Sequence, residues 1–335
     1  MKVALCFNRK KTGDASAPSD LYAEWDDPET IEAVRSALAQ RHEVTLIEAD
    51  EEAFEKFRTL RPDIVFNMAE GLQGRSREAQ IPAILEMLGI PYSGSDPLTL
   101  ALCLDKGMAK EILSWHRIPT APFAILEGLE DSQRLPPFPL IVKPLAEGSS
   151  KGIANAALVR NRHELKEQVI RVLQNYRQPA LVEKYLPGRE FTVALLGNGK
   201  ELQVLPIVEI QFDQLPPEMN PIYSYEAKWI WDTVDRPLEI FACPAPLSRK
   251  LEKKIKDVAQ AAFRALRCRD WCRIDIRLDE SGEPHILELN PLPGILPDPA
   301  ANSCFPKAAR TAGISYDELI NRVLEIACRR VGLWV

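Results

Sequence analysis

The chain has only four histidines among its 335 residues, His42, His116, His163 and His285, and no two of them stand at metal-ligand spacing. A histidine-rich metal centre is thereby excluded. Its seven cysteines are an odd number and form no C-x-x-C pair, which argues against a disulfide framework or a zinc ribbon. Cys268 and Cys272 are four apart, a spacing that fits one helix face, yet small buried residues are the simpler reading. No apolar run approaches the ~20 residues of a membrane span. The apolar stretch after Met1 is too short for a secretory leader. Long basic runs are missing and the formal net charge is −6, so the clustered cations of a nucleic-acid protein are not there. A cytoplasmic protein with neither membrane nor nucleic-acid partner is expected. No G-x-G-x-x-G follows the first apolar run, which removes the usual nicotinamide-binding fingerprint.

What is present reads as a globular chain of two or three domains, 46% hydrophobic and 27% charged. Residues 1–97 alternate strand and helix patterns: strands at Val3–Phe7, Glu43–Ile47 and Asp63–Asn67, helices at Pro28–Leu38, Glu51–Leu60 and Ser76–Leu88. That order predicts a parallel sheet covered by helices, with ligands beyond its C-terminal strand ends. Residues 98–187 predict a small α+β unit, opening with one helix over Leu98–Trp115 and continuing with strand-like runs at Ala121–Leu126, Leu140–Pro144, Ile153–Val159 and Ala180–Leu186. Residues 188–335 predict paired strands, Phe191–Leu196 and Leu202–Ile210, around Asn198-Gly199 turn chemistry. A proline-containing loop, a helix over Ser248–Leu266 with a serine cap, a hairpin and a closing helix near 315–331 follow.

The hairpin is the most informative segment. Cys272–Leu278 and His285–Asn290 alternate apolar and polar residues around Ser281-Gly282 turn chemistry. With Leu278 facing His285, Asp275 lies opposite Glu288 and Arg273 opposite Asn290. Directly opposed side chains sit ~5 Å apart, and like charges there are destabilising. Two carboxylates and an amide on one face suit a hard cation with oxygen ligands, such as Mg²⁺; an edge hairpin with solvated acids is the plainer alternative.

A second segment, Leu140 to Gly152, ends a strand in Lys143 and continues into Glu147-Gly148-Ser149-Ser150. Backbone N–H groups freed by glycine, together with serine hydroxyls, can wrap phosphate oxygens, with Lys143 as a point charge; an ordinary turn is the alternative. Gly148 to Gly152 also matches the G-x-S-x-G elbow of serine hydrolases. That motif needs a helix after it, and Ile153–Val159 reads as a strand. Lys106, Glu183, Glu190 and Lys228 are each, taken singly, compatible with surface charge.

Taken together, these segments resemble the D-alanine–D-alanine ligases of the ATP-grasp superfamily over nearly the whole chain. The resemblance is carried by Gly89–Ser95, Leu104-Asp105-Lys106, Val142-Lys143-Pro144 with Glu147–Ser150, and Val182–Leu186 with Gly188 and Glu190–Val193. Tyr225–Lys228, Arg273-Ile274-Asp275 and Leu287–Asn290 with Pro293-Gly294 complete it. It implies an ATP-grasp fold of mixed α/β and α+β type: a Rossmann-like domain at 1–97, a central domain at 98–187 and a C-terminal domain at 188–335. It also implies ATP and two Mg²⁺ (or Mn²⁺) ions, small amino-acid substrates and a homodimer.

By the same resemblance Lys106 and Lys143 contact the nucleotide phosphates, and Glu147, Gly148, Ser149 and Ser150 form the loop that closes over them. Glu183, Lys184, Leu186 and Glu190 hold adenine and ribose, and Asp275, Glu288 and Asn290 ligate the metals. Lys228 and Arg273 stabilise the transferred phosphoryl group and the oxyanion, assisted by the Gly294 N–H. The implied reaction joins two amino acids through an acyl phosphate, in peptidoglycan precursor synthesis; another amino acid or a small peptide acid, or a nucleotide-binding module without catalysis, are the alternatives. The amino-acid side departs from the family pattern. Glu24 or Asp26 stands in for the usual substrate-amine carboxylate. Glu70-Gly71 and Gly74–Ala79 replace a His-Gly and Gly-Glu-Asp-Gly signature, and Trp229 replaces a tyrosine that would bond Ser149. The loop after Gly294 is longer, and Ser303-Cys304 takes the place of the Ser-Leu pair that receives the second carboxylate.

Overall fold

A computed structural model describes residues 1–11, 20, 22–129, 135–213, 215–228, 238 and 240–333. Trp229, singled out above, lies outside the described residues. The N-terminal sheet is parallel, in the order β2-β1-β3, from β1 (Lys2–Phe7), β2 (Glu43–Glu48) and β3 (Ile64–Asn67). Alternation along β1 explains its place. Val3, Leu5 and Phe7 pack towards α1 (Pro28–Ala39), while Ala4 and Cys6 pack towards α2 (Ala53–Leu60) and α3 (Gln80–Leu88). Period-two alternation with both faces apolar is what a helix-covered parallel sheet requires.

The central sheet is antiparallel, in the order β4-β7-β5-β6, from β4 (Phe123–Leu126), β5 (Leu140–Pro144), β6 (Leu158–Val159) and β7 (Ala180–Lys184). Helix α6 (Arg162–Tyr176) covers one face through Leu165, Val169 and Val172. The C-terminal sheet runs β11-β10-β8-β12-β13, with β9 (Gln203–Val204) paired to β8 (Glu190–Leu196). Its other members are β10 (Val208–Ile210), β11 (Phe241–Ala242), β12 (Trp271–Leu278) and β13 (Pro284–Asn290). On β12, Cys272, Ile274, Ile276 and Leu278 enter a core shared with α7 (Arg249–Ala265). Arg273, Asp275 and Arg277 therefore take the opposite face, towards the cavity. Each large apolar side chain so buried contributes ~1.5–3 kcal/mol. The last two helices, α8 (Cys304–Thr311) and α9 (Tyr316–Val331), join β1, β3 and α1 in the largest core.

Four expectations are corrected. The helix over Leu98–Trp115 is two helices, α4 (Pro97–Leu104) and α5 (Lys106–Trp115). Asp105 between them is extended, and its carboxylate accepts from Met108 N at 3.1 Å as a new N-cap. The expected strand Ile153–Val159 is a 3₁₀ turn at Asn155–Ala157 followed by β6. The run Leu202–Ile210 is divided into β9 and β10, with Pro206, which has no N–H for a ladder, between them. The hairpin register is as expected at Arg273↔Asn290 and Asp275↔Glu288, but Leu278 faces Pro284 rather than His285. A bulge between Asp275 and Ile276 takes up the extra residue, Leu287. Buried positions on β13 accordingly run 284, 286, 289, leaving Leu287 and Glu288 both on the cavity side. Cys268 lies in the turn after α7 and Cys272 on β12, so they share no helix face.

Candidate functional site

One cavity lies between the three sheets, walled by β5, β7, β8, β12, β13, the Gly148–Ser150 loop and the segment that follows β1. Its floor comes from strand alternation. Arg273, Asp275 and Arg277 on β12 are paired in register with Ala194, Thr192 and Glu190 on β8, and Asp275 is paired with Glu288 on β13. Arg273 grips Asp275 with two parallel hydrogen bonds of 3.0 Å each, and Asn290 Nδ2 donates to Asp275 Oδ2 at 3.2 Å. Lys106 reaches Glu288 Oε2 at 3.1 Å and also donates to the Glu147 carbonyl. Although burial alone raises a carboxyl, the cations Lys106, Lys143 and Arg273 hold Glu288 well below the usual range.

The break at Asp105 has a consequence here. It restarts the helix so that Lys106 opens α5, where its backbone N–H donates to Leu145 O at 3.1 Å. The lysine is thereby tied to the residue that follows β5, the strand that carries Lys143. Lys143 meets Glu183 Oε1 at 2.5 Å, and the fully buried Lys110 meets Glu183 Oε2 at 2.7 Å. Burial raises the Glu183 carboxyl, but the two lysines outweigh it and keep the group ionised. On the neighbouring wall Glu190 takes a 2.7 Å bond from Arg277, which also donates to the Pro221 carbonyl at 2.7 Å and lies over the Tyr185 ring. Lys184 is half-buried and bonds Glu280 at 2.6 Å; Leu186 is buried beside it. Burial, then the Arg273 guanidinium, pushes the Lys228 ammonium down to about 8.

The glycine-serine loop is folded down. Ser149 and Ser150 have φ of 49° and 59°, and Ser150 Oγ donates to Tyr223 O at 3.0 Å. Glu24 fastens the loop from the N-terminal side. Its Oε1 accepts from Gly148 N at 2.5 Å, and its Oε2 meets Arg77 at 2.7 Å and Lys151 at 2.9 Å. Glu147 completes the cluster at 3.1 Å from Arg77 and 2.6 Å from Lys151. A Cβ on Gly148 would stand 2.4 Å from Glu24 Oε1, so a side chain there would displace the Glu24 carboxylate from this contact. Against the effect of burial, Arg77 and Lys151 draw Glu24 down to about 2. Ser303 precedes α8; its Oγ donates to Gly294 O at 3.1 Å and accepts from Leu296 N at 3.2 Å.

Sequence reasoning singled out none of Arg77, Lys110, Lys151 and Arg277. Arg277 had a usable signal, the two-residue period it shares with Arg273 and Asp275. The other three act through contacts from distant segments, which no local pattern records.

The model of the D-Ala–D-Ala ligase C-terminus matches residues 117–325, the region holding the loop, both acids and Lys228. The chain belongs to the D-alanine–D-alanine ligase family. Among the family's named members, the D-alanine–D-alanine ligase of Pelotomaculum thermopropionicum is 32% identical over 316 residues, 91% of this chain and 92% of its own. The uncharacterized protein y4sG of Sinorhizobium fredii is 38% identical over 344 residues, 98% of each chain. The D-alanine–D-alanine ligase of Bacillus anthracis, solved in complex with ATP, superposes with a TM-score of 0.72 at 23% identity, covering 98% of this chain and 97% of that one. The likeness establishes the ATP-grasp fold expected from the sequence. No helix among the described residues is long and apolar enough to cross a membrane.

Proposed function

We propose that the protein is an ATP-dependent carboxylate–amine ligase of the D-alanine–D-alanine ligase type, joining two amino acids with release of ADP and phosphate. The observation that carries the reading is the strand pairing that sets Asp275 against Glu288 in a cavity lined also by Lys143, Lys228 and Arg273, with Lys106 bonded to Glu288. A carboxylate resists attack by an amine because it carries negative charge and no good leaving group. Attack of its oxygen on the γ-phosphorus breaks the bond to ADP and forms an acyl phosphate. The amine of the second substrate then attacks the carbonyl carbon, phosphate departs, and an amide remains. Such chemistry asks for positioning and charge neutralisation rather than a nucleophilic side chain.

In this reading residues 1–97 and 188–335 enclose the acid and amine, and residues 98–187 and 188–335 enclose the nucleotide. Lys106 and Lys143 face the phosphates under the loop Glu147, Gly148, Ser149 and Ser150. Glu183, Lys184, Leu186 and Glu190 face adenine and ribose. Lys228 and Arg273, with the Gly294 N–H, hold the transferred phosphoryl group and the oxyanion, and Ser303 faces the acceptor. The oxygen-only set Asp275, Glu288 and Asn290 fits Mg²⁺, and its charge is at present balanced by Arg273 and Lys106. When bound there, the metal supplies further neutralisation of phosphate charge. A place in peptidoglycan precursor synthesis and a homodimeric state belong to the same reading by family likeness.

The test is ADP release by the full chain over a panel of D- and L-amino acids, singly and in pairs, with product mass spectrometry. Amino-acid-dependent turnover giving a dipeptide supports the reading. Nucleotide binding with no turnover for any pair overturns it.

A further inference from the structure

We propose that Cys268 and Cys103 are a peroxide-sensitive dithiol, a modification site behind the cavity floor that closes to a disulfide. The site lies outside the cavity. Only its consequence for the nucleotide rests on the ligase reading.

Three elements bring three thiols together in the core under α7: Cys103 near the end of α4, Cys268 in the turn after α7 and Cys272 on β12. Side chains fix α4 against that turn. Thr99 Oγ1 donates to Leu266 O at 3.1 Å, Ser95 Oγ accepts from Arg269 N at 3.0 Å, and Asp96 meets Arg269 at 2.6 Å. Thr99 and Cys103 are four apart and both buried, so one face of α4 carries both onto the turn. The Cys268 sulfur is in hydrogen-bond contact with the Cys103 and Cys272 thiols. Cys272 also donates to Arg273 O at 3.5 Å and is held in the ladder opposite Leu195, which leaves Cys103 as the freer partner.

Burial keeps most thiols protonated and inert. Cys103 and Cys272 are of that kind, pushed up first by burial. Contact with Cys103, then with Cys272, draws the Cys268 thiol the other way, below the ordinary thiol range. Cys268 also has the thinnest cover of the three, at 6% exposed between Arg267 and Arg269. Its thiolate attacks hydrogen peroxide and breaks the O–O bond. A sulfenic acid forms, and the departing hydroxide takes up the proton that Cys268 had lost. The Cys103 sulfur then attacks the sulfenic sulfur, the S–O bond breaks, and a second water leaves with the Cys103 proton. Two thiols are oxidised to one disulfide, and one peroxide is reduced to two waters. Cys103 stands just before Asp105 and Lys106, so drawing the end of α4 against the turn moves Lys106 relative to Glu288.

The reduced full chain is treated with a graded excess of hydrogen peroxide, alkylated, digested without reductant and mapped by mass spectrometry. The expected product is a peptide pair joined through Cys103 and Cys268, lighter by two hydrogens and split again by dithiothreitol. Peroxide should weaken binding of ADP with Mg²⁺ ~10-fold, the worth of one displaced charged contact, and dithiothreitol should restore it. Cys103→Ala and Cys268→Ala should keep their ADP affinity under peroxide, with melting curves to show that both are folded, and Cys103→Ser serves as a further variant. Absence of the Cys103–Cys268 pair at every peroxide excess short of unfolding, or a Cys268–Cys272 pair in its place, would overturn the site. A loss of affinity in Cys268→Ala equal to that of wild type would overturn its link to the nucleotide. Absence of ADP binding in reduced wild type would refute the ligase reading, while the peptide map still decides the thiol pair.

Discussion

The Arg77 guanidinium meets the Glu24 carboxylate at 2.7 Å with only 8% and 5% of the two side chains exposed. Two charges this well buried depend on each other, since removing one strands the other in low dielectric, at a cost of ~3–5 kcal/mol. Arg77→Met is therefore expected to lower the unfolding midpoint and to loosen the Gly148–Ser150 loop. The looser loop should show as ATP hydrolysis without amino acid and as faster proteolysis within 145–155. A variant with an unchanged melting curve and unchanged coupling would contradict the argument.

Glu24 also fixes a pH window. Its carboxyl is held at about 2 against an ordinary 4.5. A group depressed on folding stabilises above its unfolded value and loses that contribution as pH falls through the folded one. Stability should thus decline between pH 4.5 and 2 more steeply in wild type than in Glu24→Gln, read from chemical unfolding at several pH values.

At the acidic hairpin, Asp275→Asn and Glu288→Gln are each expected to lower turnover ~100-fold. The double variant should bind nucleotide with an affinity indifferent to Mg²⁺ in a calorimetric titration. Wild-type affinity that is itself unmoved by Mg²⁺ would remove the metal from the reading.

Lys228, drawn down to about 8, is charged below that pH and neutral above it. In wild type kcat/KM for ATP should fall on the alkaline side near pH 8. Bound phosphates favour the ammonium, so the corresponding limb of kcat should lie at higher pH. A flat profile from pH 7 to 9 would count against a charged Lys228 in the reaction.

Arg277 holds Glu190 at 2.7 Å beneath two aromatic rings. Arg277→Met leaves a buried carboxylate without its cation, with an expected loss of ~3–5 kcal/mol. If Glu190 faces the ribose, KM for ATP should rise while KM for amino acid stays within twofold.

The sequence made the architecture readable where a pattern is local and repeated. The apolar run of β1, the period-two run of β12 and the serine cap at Ser248 state their structure directly. It was silent where one residue changes the pattern. Asp105 divides an otherwise continuous helical run because its side chain caps better than its backbone continues. Leu287 shifts the hairpin by one because Ile276 and Ile286 must both be buried in the core while Asp275 and Glu288 remain paired. The two acids of the hairpin were visible because they are close in sequence. The cluster of Glu24, Arg77, Glu147 and Lys151 was not, since its members come together only when three segments fold over one another.

The extra residue in β13 is not needed for its alternation. Without Leu287, Pro284, Ile286 and Leu289 would still face the core and Glu288 and Asn290 the opposite side, and the pair Asp275↔Glu288 would run straight on into Ile276↔Ile286. What Leu287 adds is a second neighbouring side chain on the cavity wall, so the bulge sets a hydrocarbon surface beside the paired acids and leaves one rung of the ladder unmade.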